Sequence, residues 1–153
     1  MTTSSTTLLE SLGQLVSQFN RGTLDLPDGF LDRGAPLRLN GVAYEDTMGR
    51  PVGDPLVRLV ARGPAAYRFL AQALRYALPD AEVTLGALER QPGEGGFLLL
   101  GPARLTGTLR APRESFAHEA SLRLRFNDDG RLVDVDVTMA PEAVSALRAA
   151  RST

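Results

Sequence analysis

The stretch from Ser115 to Met139 leaves the chain little conformational choice. Phe116, His118, Ala120, Leu122, Leu124 and Phe126 alternate with Glu119, Ser121, Arg123 and Arg125. A period of two places the first set on one face of a β-strand and the second on the other. Val133, Val135, Val137 and Met139 repeat the pattern, with Asp134 and Asp136 on the opposite side. Between the two runs, Asn127-Asp128-Asp129-Gly130 supplies residue types that tolerate a tight reversal. The predicted unit is an antiparallel hairpin, 115–126 against 131–139, with one apolar and one charged face. A sheet of that kind needs a cover for its apolar face.

The rest of the chain supplies it. Leu8, Leu9, Leu12, Leu15, Val16 and Phe19 form one helical stripe, opened by Thr7 and Glu10 at capping-box spacing and closed by Gly22. Residues 1–6, all polar after Met1, are expected to be disordered. Pro27 begins a second short helix that ends near Gly34, with Phe30 and Leu31 as anchors. Loose alternation predicts a strand over 36–44, followed by the turn-rich DTMGRPVGDP and a second strand over 56–61. Gly63-Pro64 opens a helix to Leu78 with Ala66, Leu70, Ala73, Leu74 and Ala77 inward, stopped by Pro79-Asp80. Further strands are predicted over 82–90 and 96–110, the second with a bulge or bend at Gly101-Pro102, where proline has no N–H to donate. FLLL at 97–100 fits a strand buried on both faces. Pro141 starts a helical tail over 141–153. At 153 residues the length fits a single domain, 1–153. The order predicts an α+β fold: a curved antiparallel sheet wrapped around N-terminal helices to form a cone with a cavity.

Composition narrows the chemistry. There is no Cys, all 17 basic residues are Arg, and His118 is the one histidine. Thiol nucleophiles, Schiff-base lysines, Walker-type phosphate lysines and multi-histidine zinc sites are thereby excluded. No metal and no cofactor is expected. Proton transfer near neutral pH falls to His118 and the carboxylates, with tyrosines behind them. A net charge of −1 offers no global attraction to phosphate backbones, so nucleic acid is not an expected partner. The absence of an apolar run near the ~20 residues of a membrane span, and of a signal-peptide pattern in MTTSSTT, points away from a membrane and toward the cytoplasm. Lys-free, Arg- and Ala-rich usage fits a high-GC bacterial genome.

Element order and two motifs resemble the nuclear-transport-factor-2-like superfamily, which includes ketosteroid isomerases and SnoaL-like polyketide cyclases. AYEDTMGRPVG at 43–53 is similar to the isomerase loop that carries a general-base Asp. RFNDDGRLVDVDVTM at 125–139 is similar to the closing hairpin, and RGPAAYRFLAQAL at 62–74 to the Gly-initiated third helix. The resemblance implies Asp46 as the base that takes a proton from carbon beside a carbonyl. Leu122 stands where those isomerases hold a protonated Asp, and Phe19 is the aromatic nearest to their helix tyrosine. Neither side-chain oxyanion donor of ketosteroid isomerase, itself a standard example of such a hole, is carried over.

Each candidate has two readings. Asp46 is either a base or the head of an Asx-turn leading to Gly49. His118 is either an acid or electrophile sharing the cavity with Asp46, or a core imidazole bonded to a neighbour. Tyr44, Tyr67 and Tyr76 are core or rim aromatics, or supply an inward hydroxyl that replaces a lost donor. The candidate site is thus Asp46 and His118 as catalytic residues. Tyr44, Met48, Tyr67, Phe116, Leu122, Val135, Val137 and Met139 would contact a hydrophobic small molecule. Arg104, Arg110, Arg113, Arg123 and Arg125 read as cross-strand partners of Glu119, Asp134 and Asp136, on a sheet face suited to a homodimer contact. Asp128 and Asp129 sit in a turn too short for a calcium loop. The expected function is acid–base isomerisation, cyclisation or dehydration of a polyketide-, terpenoid- or steroid-like substrate; the alternative is a non-catalytic ligand-binding or assembly module.

Overall fold

A computed structural model describes residues 5–23, 26, 29–43, 62–93 and 95–152. In chain order the elements are α1 (Ser5–Asn20), β1 (Leu37–Leu39), β2 (Val42–Ala43), α2 (Gly63–Ala77), β3 (Glu82–Leu85), β4 (Glu89–Gly93), β5 (Gly96–Thr108), β6 (Ser115–Asn127), β7 (Leu132–Met139) and α3 (Pro141–Ser152). The strands make one curved sheet in the order β2-β1-β7-β6-β5-β3, with β4 also on β5. All neighbours are antiparallel except β1 and β7. The architecture is α+β, as expected, and the sheet stays open between β2 and β3.

The alternating stretch forms the sheet's centre. Phe116, Ala120, Leu124 and Phe126 are buried, while Glu119, Ser121 and Arg123 are exposed. Asn127 Oδ1 accepts from the N–H groups of Asp129 and Arg131 at 3.0 Å each, and Gly130 takes φ 79°. The side chain thus closes the turn that the backbone opens. On β7 the parity differs from the simple alternation. Arg125 pairs with Asp134 but Phe126 with Leu132, so Val133 is the extra residue of a bulge. Leu132, rather than Val133, takes the buried place.

Several expectations are corrected. The strand expected over 36–44 is a tight hairpin, because Asn40 and Gly41 both adopt positive φ, 53° and 82°. That is the two-residue turn for which Asn-Gly is the best sequence. The second helix is absent from residues 29–34, where the described backbone is turn, bend and a bridge from Leu31 to Leu132. Phe30 and Leu31 are nonetheless buried anchors. Residues 5 and 6, expected to be disordered, open α1. The strand expected over 56–61 lies outside the described residues. The irregularity expected at Gly101-Pro102 falls on the paired segment between β3 and β4: the β5–β6 ladder runs unbroken, and residues 86–88 bulge where three residues face two. There Gly86 N–H donates to the Pro102 carbonyl at 2.8 Å. Pro102 lies between the two strands that share this edge, where a missing N–H costs no ladder bond.

Helix α2 is seated by Gly63. Its φ is 63°, its N–H donates to Ala35 at 2.9 Å, and a Cβ would lie 2.6 Å from the Arg33 carbonyl oxygen. Gly13, by contrast, lies in α1 with open space around it. Gly63→Ala should therefore lose about 2–4 kcal/mol through left-handed strain plus backbone collision. Gly13→Ala should gain about 0.5–1 kcal/mol of helix propensity. Urea unfolding of the two variants tests the pair, and equal effects would contradict the account.

Candidate functional site

The concave side of the sheet is filled at both ends. At one end Phe126, fully buried, stacks on Phe97 with centroids 5.1 Å apart and meets Phe30 edge-on at 6.0 Å. Leu12 of α1 and Ala66 of α2 close this cluster. At the other end Phe116, Ala120 and Met139 pack with Phe19 of α1, Ala71 of α2, and Ala143 and Ala150 of α3. Between the clusters runs a seam. Leu122 and Val137 face one another across β6 and β7 and are both half-buried, Leu122 bordering the first cluster and Val137 the second. Tyr67 of α2 borders both.

The structure distributes the expected site residues over three places. Phe116 and Met139 are core, 3% and 9% exposed. Leu122, Val135, Val137 and Tyr67 lie along the seam. His118 is on the concave face as expected, half-buried, its ring centroid 4.7 Å from that of Phe116 at a tilt of 53°. It sits two residues beyond the last β6–β7 pair, Ala120 with Met139, and so away from Leu122. Asp46, Tyr44 and Met48 lie outside the described residues. Of the described residues on either side of that stretch, Ala43 pairs with Arg38 and Arg62 bridges Pro36, so both lie beside β1.

Three buried polar groups on α1 and α2 were not singled out together by sequence reasoning. Among the described residues Tyr67 Oη is buried and has no hydrogen-bond partner. Burial pushes its pKa above the usual phenol value, and the positive charge of Arg75 pulls the other way. Arg75 donates to the carbonyls of Phe19 and of Pro79, the latter at 3.3 Å, and lies 4.7 Å over the Phe19 ring. Its Nε and the Oε1 of Gln18 on α1 are likewise buried without partners among the described residues. In sequence Arg75 reads as an ordinary last-turn cation and Gln18 as a solvated helix residue. The useful signal was Tyr67, a phenol one turn into a helix whose first turn is apolar.

Outside the cone, Arg38 holds Asp134 through Nη1, 3.0 and 2.9 Å from the two carboxylate oxygens, and Arg123 and Arg125 stand opposite Asp136 and Asp134. The register sets Arg104 opposite Glu119 in the same way, as expected of that face, but the ion pair made there comes from Arg38, which the sequence reading did not name, and Arg110 bonds the Ala150 carbonyl. One open depression there is lined by Leu100, Pro102, Ser121, Arg123, Asp136 and Thr138, and another lies between α1 and β3. Neither includes His118, and neither supplies the enclosed hollow expected within the cone. Among the described residues no helix is long and apolar enough to cross a membrane.

No family model and no curated protein sequence matches the chain. Solved structures do. A protein assigned as a SnoaL-like polyketide cyclase from Jannaschia sp. CCS1 superposes with TM-score 0.62 at 14% identity, covering 96% of each chain. SalBIII, described as an epoxide hydrolase/cyclase-like enzyme in pyran ring formation in the polyether salinomycin, gives TM-score 0.61 at 16% identity over 92% of this chain and 95% of its own. A nuclear-transport-factor-2-like protein of unknown function from Exiguobacterium sp. 255-15 gives 0.60 at 12% identity over 86% and 98%. This chain has the nuclear-transport-factor-2-like fold. At these identities the likeness carries the fold and leaves the chemistry to the residues.

In this version of the nuclear-transport-factor-2-like cone, α3 plugs the end next to His118's neighbours. Arg110 fastens it: Nη2 donates to the Ala150 carbonyl at 3.1 Å, and the guanidinium lies 4.1 Å over the Tyr76 ring. Arg110→Ala should speed amide hydrogen exchange in 141–152 at least tenfold while β5 and β6 keep their protection. Uniform acceleration throughout the sheet would show that α3 opens only with the whole fold.

Proposed function

We propose that this protein binds a hydrophobic small molecule within its cone and performs cofactor-independent acid–base chemistry on it, as an isomerase, cyclase or dehydratase. The observation that carries the reading is the half-buried apolar seam of Leu122, Val135 and Val137 on the concave face, between two clusters that are otherwise closed. A polyketide-, terpenoid- or steroid-like skeleton matches such a surface, and the SnoaL-like and epoxide hydrolase/cyclase-like neighbours support the choice.

Asp46 is the base in this reading. It lies in sequence between β2 and α2, and a carboxylate in the cone removes a proton from carbon next to a carbonyl. His118 is the acid or electrophile, positioned by its contact with Phe116. Tyr44, Met48, Tyr67, Phe116 and Met139 complete the substrate surface, Phe116 and Met139 by backing it rather than by lining it. The protein works in the cytoplasm as a homodimer paired through the outer sheet face, where the charged cross-strand pairs lie.

The second reading is a binding or assembly module without catalysis. Leu122 favours it, since an apolar residue stands where the related isomerases donate a hydrogen bond to an enolate. Turnover of a panel of enones and β-keto compounds separates the two. Asp46→Asn should reduce turnover by about 10²–10⁴-fold with affinity unchanged. A wild type that binds the panel and converts none of it supports the module.

A further inference from the structure

We propose that Tyr67 Oη, backed by the Arg75 guanidinium, is the polar anchor of the cone and receives a ligand oxygen that carries or acquires negative charge: a carboxylate, phenolate or enolate. The inference rests on the reading of the cone as a binding site and adds where the ligand's oxygen is held.

Three observations lead to it. Tyr67 borders both core clusters, so its side chain lies between the two packed ends. The hydroxyl is buried and has no partner among the described residues. Buried polar groups are almost always bonded, and one left without a partner lowers stability, so its retention calls for a use. Arg75 brings a positive charge within electrostatic range of the phenol, and it is held there: its outer nitrogens bond the carbonyls of Phe19 and Pro79 and its plane rests on the Phe19 ring. Those bonds tie down the guanidinium without neutralising it, because carbonyls carry no formal charge. Among the described residues the structure gives Arg75 no carboxylate partner, in contrast to Arg38 with Asp134.

A fixed cation within electrostatic range of a buried, unbonded phenol favours an anionic acceptor over a neutral one, since charge-assisted hydrogen bonds are the stronger kind and low dielectric increases the difference. The arrangement also answers the loss of both side-chain donors noted for Leu122 and Phe19. Here the donor comes from α2 instead of from α1 or the sheet.

Fluorescence titration with 2-naphthoate and with naphthalene tests the anchor, alongside thermal melting. The wild type should bind both probes and prefer naphthoate. Tyr67→Phe should weaken naphthoate at least tenfold, change naphthalene less than twofold, and melt at the same or a higher temperature, because the orphaned hydroxyl is gone. A purely structural phenol, bonded to an internal water, predicts the reverse: lower melting with both probes affected alike, which would overturn the proposal. Equal binding of both probes to the wild type, or indifference of naphthoate to Tyr67→Phe, would also overturn it while leaving the cone as an apolar site. Binding of neither probe would remove the hollow and the anchor together. Turnover is not read, so the role of Asp46 is tested separately.

Discussion

The ladder between β5 and β6 governs the rest of the molecule. Thirteen residue pairs, from Gly96 with Asn127 to Thr108 with Ser115, run without a break. A slip of one residue would carry Phe116, Leu124 and Phe126 to solvent and bring Glu119, Arg123 and Arg125 into the interior, at a cost of many kilocalories in burial and desolvation. Register is therefore fixed by chemistry along the whole hairpin. Every other strand is placed by reference to it: β7 along one side of β6, and β3 and β4 in succession along the free edge of β5. The helices then settle on whichever face the alternation has made apolar.

Side chains manage the margins of this sheet. Asn20 at the end of α1 bonds Val83 twice, donating to its carbonyl at 2.9 Å and accepting from its N–H at 2.7 Å. The amide thus imitates a strand along β3, whose outer edge would otherwise be open to another chain. Asn40 acts similarly beyond β1, where its Oδ1 accepts from Met139 N–H at 2.8 Å and its backbone N–H donates to Val137 at 2.8 Å. Two asparagines extend the pairing past the points where the backbone turns away. Both also fix helix or hairpin against sheet, so edge protection and assembly of the cone are one event.

What was legible in the sequence follows from the same hierarchy. The β6–β7 hairpin, α1 and α2 are long and strongly patterned, and pattern decides such elements. β4 is the opposite case: one strand was expected over 82–90, but the strand breaks at 86–88 and a separate one runs from Glu89 to Gly93, where Gln91-Pro92-Gly93 has no strand signal and pairs because the edge of β5 is there. The Asn40-Gly41 reversal was hidden by apolar residues on both sides that mimic one continuous alternation. The bulge at Val133 turns on a single inserted residue, which periodicity averages away. For the site, the alternation identified the inward face of β6 that carries Phe116, His118 and Leu122, while the seam on which Tyr67, Leu122, Val135 and Val137 lie was not foreseen. Alternation could not distinguish Phe116 and Met139, absorbed into the core, from neighbours that stay half-buried, because that depends on α3 packing against one end and not the other.

Gln18, Tyr67 and Arg75 show why the interior cannot be understood from burial alone. An apolar cone of this size gains stability by filling its seam with leucine or phenylalanine, and replacing the phenol by a phenyl ring would relieve a buried, unbonded oxygen. The chain instead keeps a phenol, a guanidinium and an amide between α1 and α2, in a protein that uses arginine for all its cations and has one imidazole. Where polar atoms are isolated in a core, packing accidents suffice to explain them. Here two of them, on Tyr67 and Arg75, are coupled electrostatically, and Arg75 is fixed by two carbonyls and an aromatic face. Fixed dipoles and charges that do not need to reorganise are the form in which a protein stabilises charge that develops elsewhere. A cost in fold stability of this kind is what a preorganised polar group imposes on an apolar interior.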